Sequence, residues 1–379
     1  MKKILLTIFL FFIFSSLVTA EEFASNAKSA VLMEFSTGRI LFEKNSNEKL
    51  APASMTKIMT MLLVMEALDE GKIAMDTPVT ISLNASNMGG SQMFLDANST
   101  VVVEELLKGL SIASANDAAV ALAEKVGGSV DNFVVMMNEK AKELGLTSTN
   151  FVNPHGLDAD GHYSSAKDMA IMARELIKHE EILRFTSTYE DYFNKSDGSR
   201  TWLVNTNRLV RFYPGVDGLK TGYTTNAQYC LTSTAKKNNV RYITVLMGEP
   251  SSDIRSKETT ELLNYAFNSY KLNTILSNED ELGKVYVEKG SIDNATLIVK
   301  NSVTEVEEIN KKSEIYSYNI KTNKIVAPVK KGDVVGTVEI KDKDGLIIKE
   351  EELTIKEDVD KISYIKLLFK NFKILLSGK

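Results

Sequence analysis

Segments with strand character lie near both ends of residues 21–275, with most of the helical segments between them. Residues 29–43 are typical of two strands around a Ser-Thr-Gly turn. Further strands are indicated around 218–222, 227–235 and 240–248. Helical spacing and good helix formers occur at 54–70, 104–125, 131–144, 165–180 and 253–271. We therefore predict one α+β domain over residues 21–275, whose sheet is closed by strands distant in sequence.

The character of the chain changes after about residue 280. Short β-rich segments follow at 285–287, 296–299, 337–341 and 346–349, and Asp344-Gly345 fits a hairpin turn. These segments show no concentration of catalytic residue types. They predict a small all-β domain over residues 280–356, which acts as a spacer or binding module.

The last segment, residues 358–379, is basic and amphipathic. From Lys361 onward it carries five lysines and no acidic residue. Its apolar residues gather on one side of a helix and several lysines on another, although Leu367 and Ile374 fall outside the apolar side. The pattern predicts a C-terminal amphipathic helix lying on an anionic membrane surface. Packing of this helix on its own domain is the alternative.

The first 20 residues are typical of a secretory signal. Lys2 and Lys3 precede an apolar run over 4–18, and cleavage is predicted after Ala20. The run is short for a membrane span. We therefore predict an exported protein at the outer face of the cytoplasmic membrane. Its formal net charge of −5 and the lack of a basic patch argue against a nucleic-acid partner.

Cysteine and histidine content limits the chemistry. A single cysteine, Cys230, excludes an internal disulfide, and its strand-like surroundings indicate a buried thiol without a catalytic role. His155, His162 and His179 show no compact zinc spacing, so we predict no metal site and no cofactor. His155 and His162 flank a Gly- and Asp-rich loop. Hydrogen bonding within that loop is favoured over contact with a substrate.

A serine and a lysine stand three residues apart in Ser54-Met-Thr-Lys57, at the start of an apolar helical run. Residues at this spacing share a helix face, so the lysine amine lies in reach of the serine hydroxyl. A serine needs a neighbouring base to become a nucleophile. By itself, however, a serine before an apolar helix is more often an N-cap.

Two further motifs favour a nucleophilic serine over a helix N-cap. Ser114-Ala-Asn116 lies between two apolar helical stretches, and Lys220-Thr-Gly222 lies in a strand flanked by glycines. Each motif alone is common. Ser-x-x-Lys, Ser-x-Asn and Lys-Thr-Gly in this order, however, form the set used by serine enzymes that are acylated by β-lactams.

With these motifs the chain resembles the low-molecular-mass penicillin-binding proteins of the D-alanyl-D-alanine carboxypeptidase type, in the serine β-lactamase-like superfamily. The resemblance covers nearly the whole chain and extends to the stretches 51–57, 153–158 and 205–209. It implies an antiparallel sheet with helices, followed by the small β domain and the amphipathic helix. Tyr223 stands where the family often has histidine. Other members accept tyrosine there, so activity is still expected, and the pH dependence and the rate are left open.

The resemblance assigns roles in proton transfer. Lys57 is expected to act as the base for Ser54, provided that burial and a second cation, Lys220, lower its pKa. Ser114 would pass the proton toward the leaving amine. Asn116 would hold Lys57 and the substrate amide in place.

It also assigns roles in substrate binding. Lys220 and Thr221 would bind the terminal carboxylate of the substrate, and Gly222 would leave room for the substrate backbone. Arg255 resembles a family arginine near that carboxylate, although an ordinary solvated helix arginine is an equal alternative.

The implied reaction is the removal of the last D-alanine from peptidoglycan stem peptides. The backbone N–H groups of Ser54 and Tyr223 would form the oxyanion hole. Ser54 would be acylated by the penultimate D-alanine, the last D-alanine would leave, and water would release the product. β-Lactams would acylate the same serine and leave slowly.

Three other functions are alternatives to a D-alanyl-D-alanine carboxypeptidase. A class A β-lactamase commonly has Ser-Asp-Asn and a glutamate that activates the deacylating water, and neither is evident here. A transpeptidase or endopeptidase of the same fold differs only in the acceptor of the acyl group. A non-catalytic β-lactam-binding wall protein would be acylated without turnover.

Overall fold

The computed structural model describes residues 23–195, 197–311, 316–366 and 368–369. The predicted signal, residues 1–20, lies outside the described residues. The strands are β1 (Ser29–Glu34), β2 (Ile40–Lys44), β3 (Pro78–Thr80), β4 (Thr100–Val102), β5 (Glu190–Asn194), β6 (Arg200–Val204), β7 (Val216–Thr224), β8 (Gln228–Lys237), β9 (Val240–Glu249), β10 (Tyr270–Leu276), β11 (Gly283–Glu288), β12 (Asn294–Val299), β13 (Val303–Glu308), β14 (Ser317–Thr322), β15 (Ile325–Val326), β16 (Gly336–Lys341) and β17 (Ile347–Ile355). The helices are α1 (Lys57–Asp69), α2 (Leu83–Ser86), α3 (Val103–Ile112), α4 (Asn116–Gly127), α5 (Val130–Glu143), α6 (Ala166–Lys178), α7 (Ile182–Thr186), α8 (Leu209–Phe212) and α9 (Ser252–Ser269).

Strands from the two ends of the first domain form one antiparallel sheet, in the order β2-β1-β9-β8-β7. β1 pairs directly with β9, with Ala30 opposite Leu246, although some 200 residues separate them in sequence. The predicted α+β class and the closure of the sheet by distant strands are confirmed. β7 forms one edge of this sheet.

The sheet is covered on both faces, which follows from the alternation of side chains along a strand. In β9, Ile243, Val245 and Met247 join the core formed with α1 and α6. Tyr242 and Leu246 join the opposite core, formed with α9. α1 is apolar nearly all round and buried along most of its length, as expected for a central helix. A side chain at its first turn is therefore remote from bulk water.

Two predicted helices begin or run differently in the structure. The helix predicted to begin near Ser54 starts at Lys57, and Ser54 lies in a 3₁₀ turn (Ala53–Thr56) with no side-chain cap. The helix predicted over 104–125 is broken into α3 and α4. The break falls where Ser114 adopts a left-handed backbone with φ of 63°, which a continuous α-helix does not accommodate.

The second domain is all-β, as predicted. Its main sheet has the order β14-β16-β17-β12-β11-β15. β10 and β13 form a separate antiparallel pair, so strands of this domain begin at Tyr270, ahead of the predicted start at 280. Between the domains, Arg39 Nη1 donates to the carbonyl oxygen of Val306 at 2.7 Å.

The tail differs from the predicted helix over 358–379 at its start. Val359 is buried in the β-domain core and pairs with Val329, so it belongs to that domain. Residues 364–366 and 368–369 are helical, and the apolar side chains among them are exposed. Residues 358–363 are described and are not helical, and residues 367 and 370–379 lie outside the described residues. Within the described ranges, no helix is both long and apolar enough to cross a bilayer.

Candidate active site

The Ser54 hydroxyl lies next to the N-terminus of the buried helix α1. The 3₁₀ turn carries Ser54 just ahead of Lys57, and the Lys57 Nζ atom is 3.0 Å from Ser54 Oγ. The preceding residue, Ala53, has a left-handed backbone with φ of 47°. Such a conformation is unfavourable for a residue with a Cβ atom and is common at functional sites.

The Lys57 Nζ atom has three oxygen partners, a set that suits either a charged ammonium, which donates to Ser54 Oγ as well, or a neutral amine. It donates to Asn116 Oδ1 at 2.7 Å and to the carbonyl oxygen of His155 at 2.7 Å. A neutral amine has two N–H groups and one lone pair. With both N–H groups given to these carbonyl oxygens, the lone pair is left for the Ser54 hydroxyl.

Burial favours this neutral form. The Lys57 side chain is fully buried, and desolvation lowers its pKa well below the ordinary value. The positive charge of Lys220 lowers the pKa further, while Asp117 acts in the opposite direction. Asp117 is itself buried, and burial raises its pKa.

The break between α3 and α4 brings the Ser-x-Asn motif to this site. Asn116 begins α4, and its Nδ2 donates to the carbonyl oxygen of Gly89 at 2.7 Å, which fixes Oδ1 toward Lys57. Ser114 is buried in the left-handed turn before it. Within the described residues, its hydroxyl forms no hydrogen bond with Ser54 or Lys57. The structure thus joins Asn116 to the pair directly and Ser114 only by position.

The edge strand β7 places a second lysine beside the first. Lys220 is 1% exposed, and its Nζ donates to the carbonyl oxygen of Thr221 at 3.0 Å. Burial, and then the charge of Arg255, lower the pKa of Lys220 to about 7. The Thr221 hydroxyl donates to Thr206 Oγ1 at 2.6 Å.

Arg255 lies in the first turn of α9 and is 5% exposed, so it is not an ordinary solvated helix arginine. Its Nε atom is buried without a hydrogen-bond partner. Among the described residues, neither Arg255 nor Lys220 forms an ion pair with a carboxylate. Two buried cations without an anion are costly in free energy, and this arrangement suits an anionic ligand.

The absence of a side chain at Gly222 also serves a close contact within the protein, besides the predicted room for the substrate backbone. A Cβ atom at this position would lie 2.8 Å from the Pro52 carbonyl oxygen and 3.2 Å from the Ser54 backbone nitrogen. The missing side chain therefore lets β7 approach the Ser54 turn itself. The next residue, Tyr223, is half-exposed, and its ring stacks on Tyr229 with centroids 4.4 Å apart.

Several contacts at this site could not be predicted from sequence patterns. The acceptor for Lys57 at residue 155 is a backbone carbonyl, which every residue possesses. The role of Thr206 as a partner of Thr221 has no sequence signal of its own.

Cys230 is buried, and burial raises its thiol pKa to about 11, which disfavours the reactive thiolate. The described residues contain no group of three potential metal ligands.

A serine paired with a buried lysine, beside a cation-lined sheet edge, defines a serine enzyme of the β-lactamase-like class. Residues 16–251 match the family model described as D-alanyl-D-alanine carboxypeptidase. Residues 270–361 match the C-terminal domain of penicillin-binding protein 5. The chain belongs to the D-alanyl-D-alanine carboxypeptidase family, and the predicted serine hydrolase class is confirmed.

Three relatives illustrate this membership. D-alanyl-D-alanine carboxypeptidase DacF of Bacillus subtilis is 50% identical over 348 residues, which cover 92% of this chain and 89% of the relative. Penicillin-binding protein 5 of Haemophilus influenzae is 35% identical, with a TM-score of 0.73 over 91% of this chain and 100% of that one. Penicillin-binding protein D2 of Listeria monocytogenes, solved with cefotaxime bound, is 32% identical. It has a TM-score of 0.58 over 64% of this chain and 97% of that one.

Proposed function

We propose that this chain removes the terminal D-alanine from peptidoglycan stem pentapeptides through an acyl-enzyme on Ser54. One observation carries the proposal. The buried Lys57 amine gives its N–H groups to two carbonyl oxygens and lies 3.0 Å from Ser54 Oγ. A base and a nucleophile are thus already in contact before substrate binds.

Acylation begins when Lys57 takes the Ser54 proton. The Ser54 oxygen attacks the carbonyl carbon of the penultimate D-alanine. The backbone N–H groups of Ser54 and Tyr223 stabilise the negative oxygen that forms. The peptide C–N bond then breaks, and the proton held by Lys57 passes by way of Ser114 to the leaving amine. Free D-alanine departs, and the shortened peptide remains as an ester of Ser54.

The cationic edge of β7 selects the substrate terminus. Lys220, Arg255 and the Thr221 hydroxyl bind the carboxylate of the last D-alanine. An anion there compensates the two buried positive charges, which gives the site a preference for a free C-terminus. Asn116 has a second amide N–H available for the substrate backbone.

Deacylation uses the same base. Lys57 takes a proton from a water molecule, the hydroxide attacks the ester carbonyl, and the Ser54 oxygen leaves and recovers its proton. A β-lactam enters the same pathway by opening its strained amide on Ser54. The cefotaxime-bound relative supports this part of the proposal.

The direct test is incubation of the purified protein with a pentapeptide ending in D-Ala-D-Ala. We expect release of free D-alanine, and no release by Ser54→Ala. Stable penicillin labelling without D-alanine release would instead indicate a non-catalytic β-lactam-binding protein. Transfer of the acyl group to an added amine in preference to water would indicate a transpeptidase.

We also propose that the chain is exported and that its tail lies on the membrane surface. Tyr364, Ile365, Leu368 and Phe369 support this, since all four are exposed. The test compares the full chain with one that ends at Ser363, because a cut before Val359 would damage the β-domain core. Only the full chain is expected to pellet with anionic vesicles. Pelleting of the shortened chain would contradict the anchor.

A further inference from the structure

The loop over residues 153–163 closes around the turn that carries the nucleophile. The carbonyl oxygens of Pro154 and His155 accept hydrogen bonds from Thr60 and Lys57 of α1. Gly156 presses on the turn so closely that a Cβ atom there would lie 1.9 Å from the Ala53 carbonyl oxygen. The loop and the Ser54 turn therefore form one packed unit.

His162 lies inside this unit and has no part in the chemistry described so far. It is 6% exposed. Its Nε2 atom is 2.8 Å from Thr56 Oγ1, and its Nδ1 atom is 3.0 Å from the backbone nitrogen of Val152. Both ring nitrogens therefore have partners within the protein.

These partners fix the position of the ring proton. The Val152 N–H group can only donate, so Nδ1 must accept and carries no proton. The proton is then on Nε2, which donates to the Thr56 hydroxyl. That hydroxyl in turn donates to the carbonyl oxygen of Ala53 at 2.9 Å. Three hydrogen bonds run in one direction, from Val152 through His162 and Thr56 to Ala53.

The last acceptor, the carbonyl oxygen of Ala53, belongs to a residue with an unfavourable backbone conformation. Ala53 has a φ of 47°, and the peptide that follows it carries the Ser54 nitrogen. A left-handed residue with a Cβ atom persists only where its surroundings hold it. The Thr56 hydroxyl donates to its carbonyl oxygen, and the Gly156 backbone packs against that oxygen.

We propose that His162 is a positioning residue for acylation: its Nε2–H group orients Thr56, and Thr56 holds the left-handed Ala53 peptide that aims Ser54 at the substrate. The inference rests on the proposed role of Ser54 as the acylated nucleophile. His162 itself does not contact the substrate or the reacting atoms.

The electrostatic setting agrees with the neutral ring that this network requires. Burial lowers the pKa of His162 to about 4, although the nearby Asp158 raises it. His155 faces it from the same loop, and burial lowers its pKa to about 3. Both rings are therefore neutral near pH 7, and Nδ1 of His162 remains an acceptor.

Single-turnover acylation by a fluorescent penicillin tests the inference, since it separates the acylation rate constant from the preceding binding constant. His162→Ala and Thr56→Val are expected to lower the rate constant by about tenfold or more, because small displacements of reacting groups are costly. The binding constant should change little. The double variant should be no slower than the slower single variant, because both changes interrupt one network.

Conservative variants separate positioning from general loss of stability. Glutamine places an amide N–H near the Nε2 position, and serine keeps the Thr56 hydroxyl. His162→Gln and Thr56→Ser should therefore acylate faster than His162→Ala and Thr56→Val. The matched control is His179→Ala. His179 follows the last residue of α6 and bonds to Asp69 at the C-terminal end of α1, away from the Ser54 turn. This variant should acylate like the wild type.

Two results would overturn the inference. Acylation of folded His162→Ala at the wild-type rate would remove the positioning role while the proposed function stands. Wild-type protein that forms no adduct on Ser54 would overturn the proposed function and this inference with it.

Discussion

At the scale of single residues, the proposed chemistry depends on two buried lysines. Lys57 and Lys220 are both nearly inaccessible to water, and burial is the largest cause of the lowered pKa of each. Their positive charges also oppose one another, so a proton on Lys220 favours a neutral Lys57. One lysine can thus serve as a base while the other serves as a cation.

Lys57→Arg tests the base. Arginine keeps the positive charge but cannot give up its proton in a protein. Acylation by a β-lactam should fall by about 100- to 10,000-fold, the usual contribution of a positioned base. The measurement is the acylation rate constant, with thermal unfolding as the check on folding. An arginine variant that acylates at a rate close to wild type would rule out Lys57 as the base.

Lys220→Arg tests the cation through its pH dependence. The pKa of Lys220 is about 7, so the free protein loses this charge as the pH rises through 7. A bound carboxylate favours the charged form, so KM for a D-Ala-D-Ala peptide should rise above pH 7. Arginine stays charged, and its KM should vary less between pH 6 and 9. A parallel rise in both proteins would place the titration elsewhere.

At the scale of elements, the site depends on the contact between the edge strand β7 and the 3₁₀ turn. Gly222 permits this contact, because its missing side chain makes room for Pro52 and Ser54. Asn116 reaches the same place because α3 and α4 are separated by a left-handed residue. The geometry of the proposed nucleophile is thus set by backbone packing as well as by side chains.

Gly222→Ala should push the turn away from β7. The added Cβ atom meets backbone atoms that cannot rotate aside, and such overpacking costs about 1–3 kcal/mol in the free energy of unfolding. Acylation should slow as well, because Ser54 moves with the turn. Urea denaturation and penicillin acylation measure the two effects. An alanine variant with wild-type stability and rate would show that the contact is dispensable.

Much of this arrangement could be predicted from sequence. The strands that form the sheet follow from periodicity, and the three motifs indicate the chemistry because their residue types are specific in combination. The left-handed turn at Ser114 could not be predicted, since propensity favours one helix over 104–125. Neither could the contacts of His155 and His162, which depend on a loop distant in sequence folding over the Ser54 turn.

At the scale of the whole molecule, the residues of the proposed acylation site lie within the first domain. They come from the 3₁₀ turn, α1, the turn at Ser114 with α4, β7, α9 and the loop over 153–163. The Listeria structure matches 64% of this chain over 97% of its own length, so the chain in that structure corresponds to about two thirds of this one. The second domain contacts the first through groups such as Arg39 and Val306, which are not part of the site.

A chain ending at Asn273 should therefore still acylate at close to the full-length rate. It keeps α9 and the Tyr242–Tyr270 contact but loses most of the β domain. The measurement is penicillin acylation, with circular dichroism to confirm folding. A folded truncated chain that no longer acylates would show that the second domain supports the site.

The central claim is that Ser54 is the acylated nucleophile. Its most direct test is mass spectrometry of the full chain after brief exposure to a β-lactam, followed by proteolytic mapping of the adduct. We predict one adduct per chain, located on Ser54, and none in Ser54→Ala. An adduct on Ser114 or another residue, or labelling that survives in Ser54→Ala, would contradict the account.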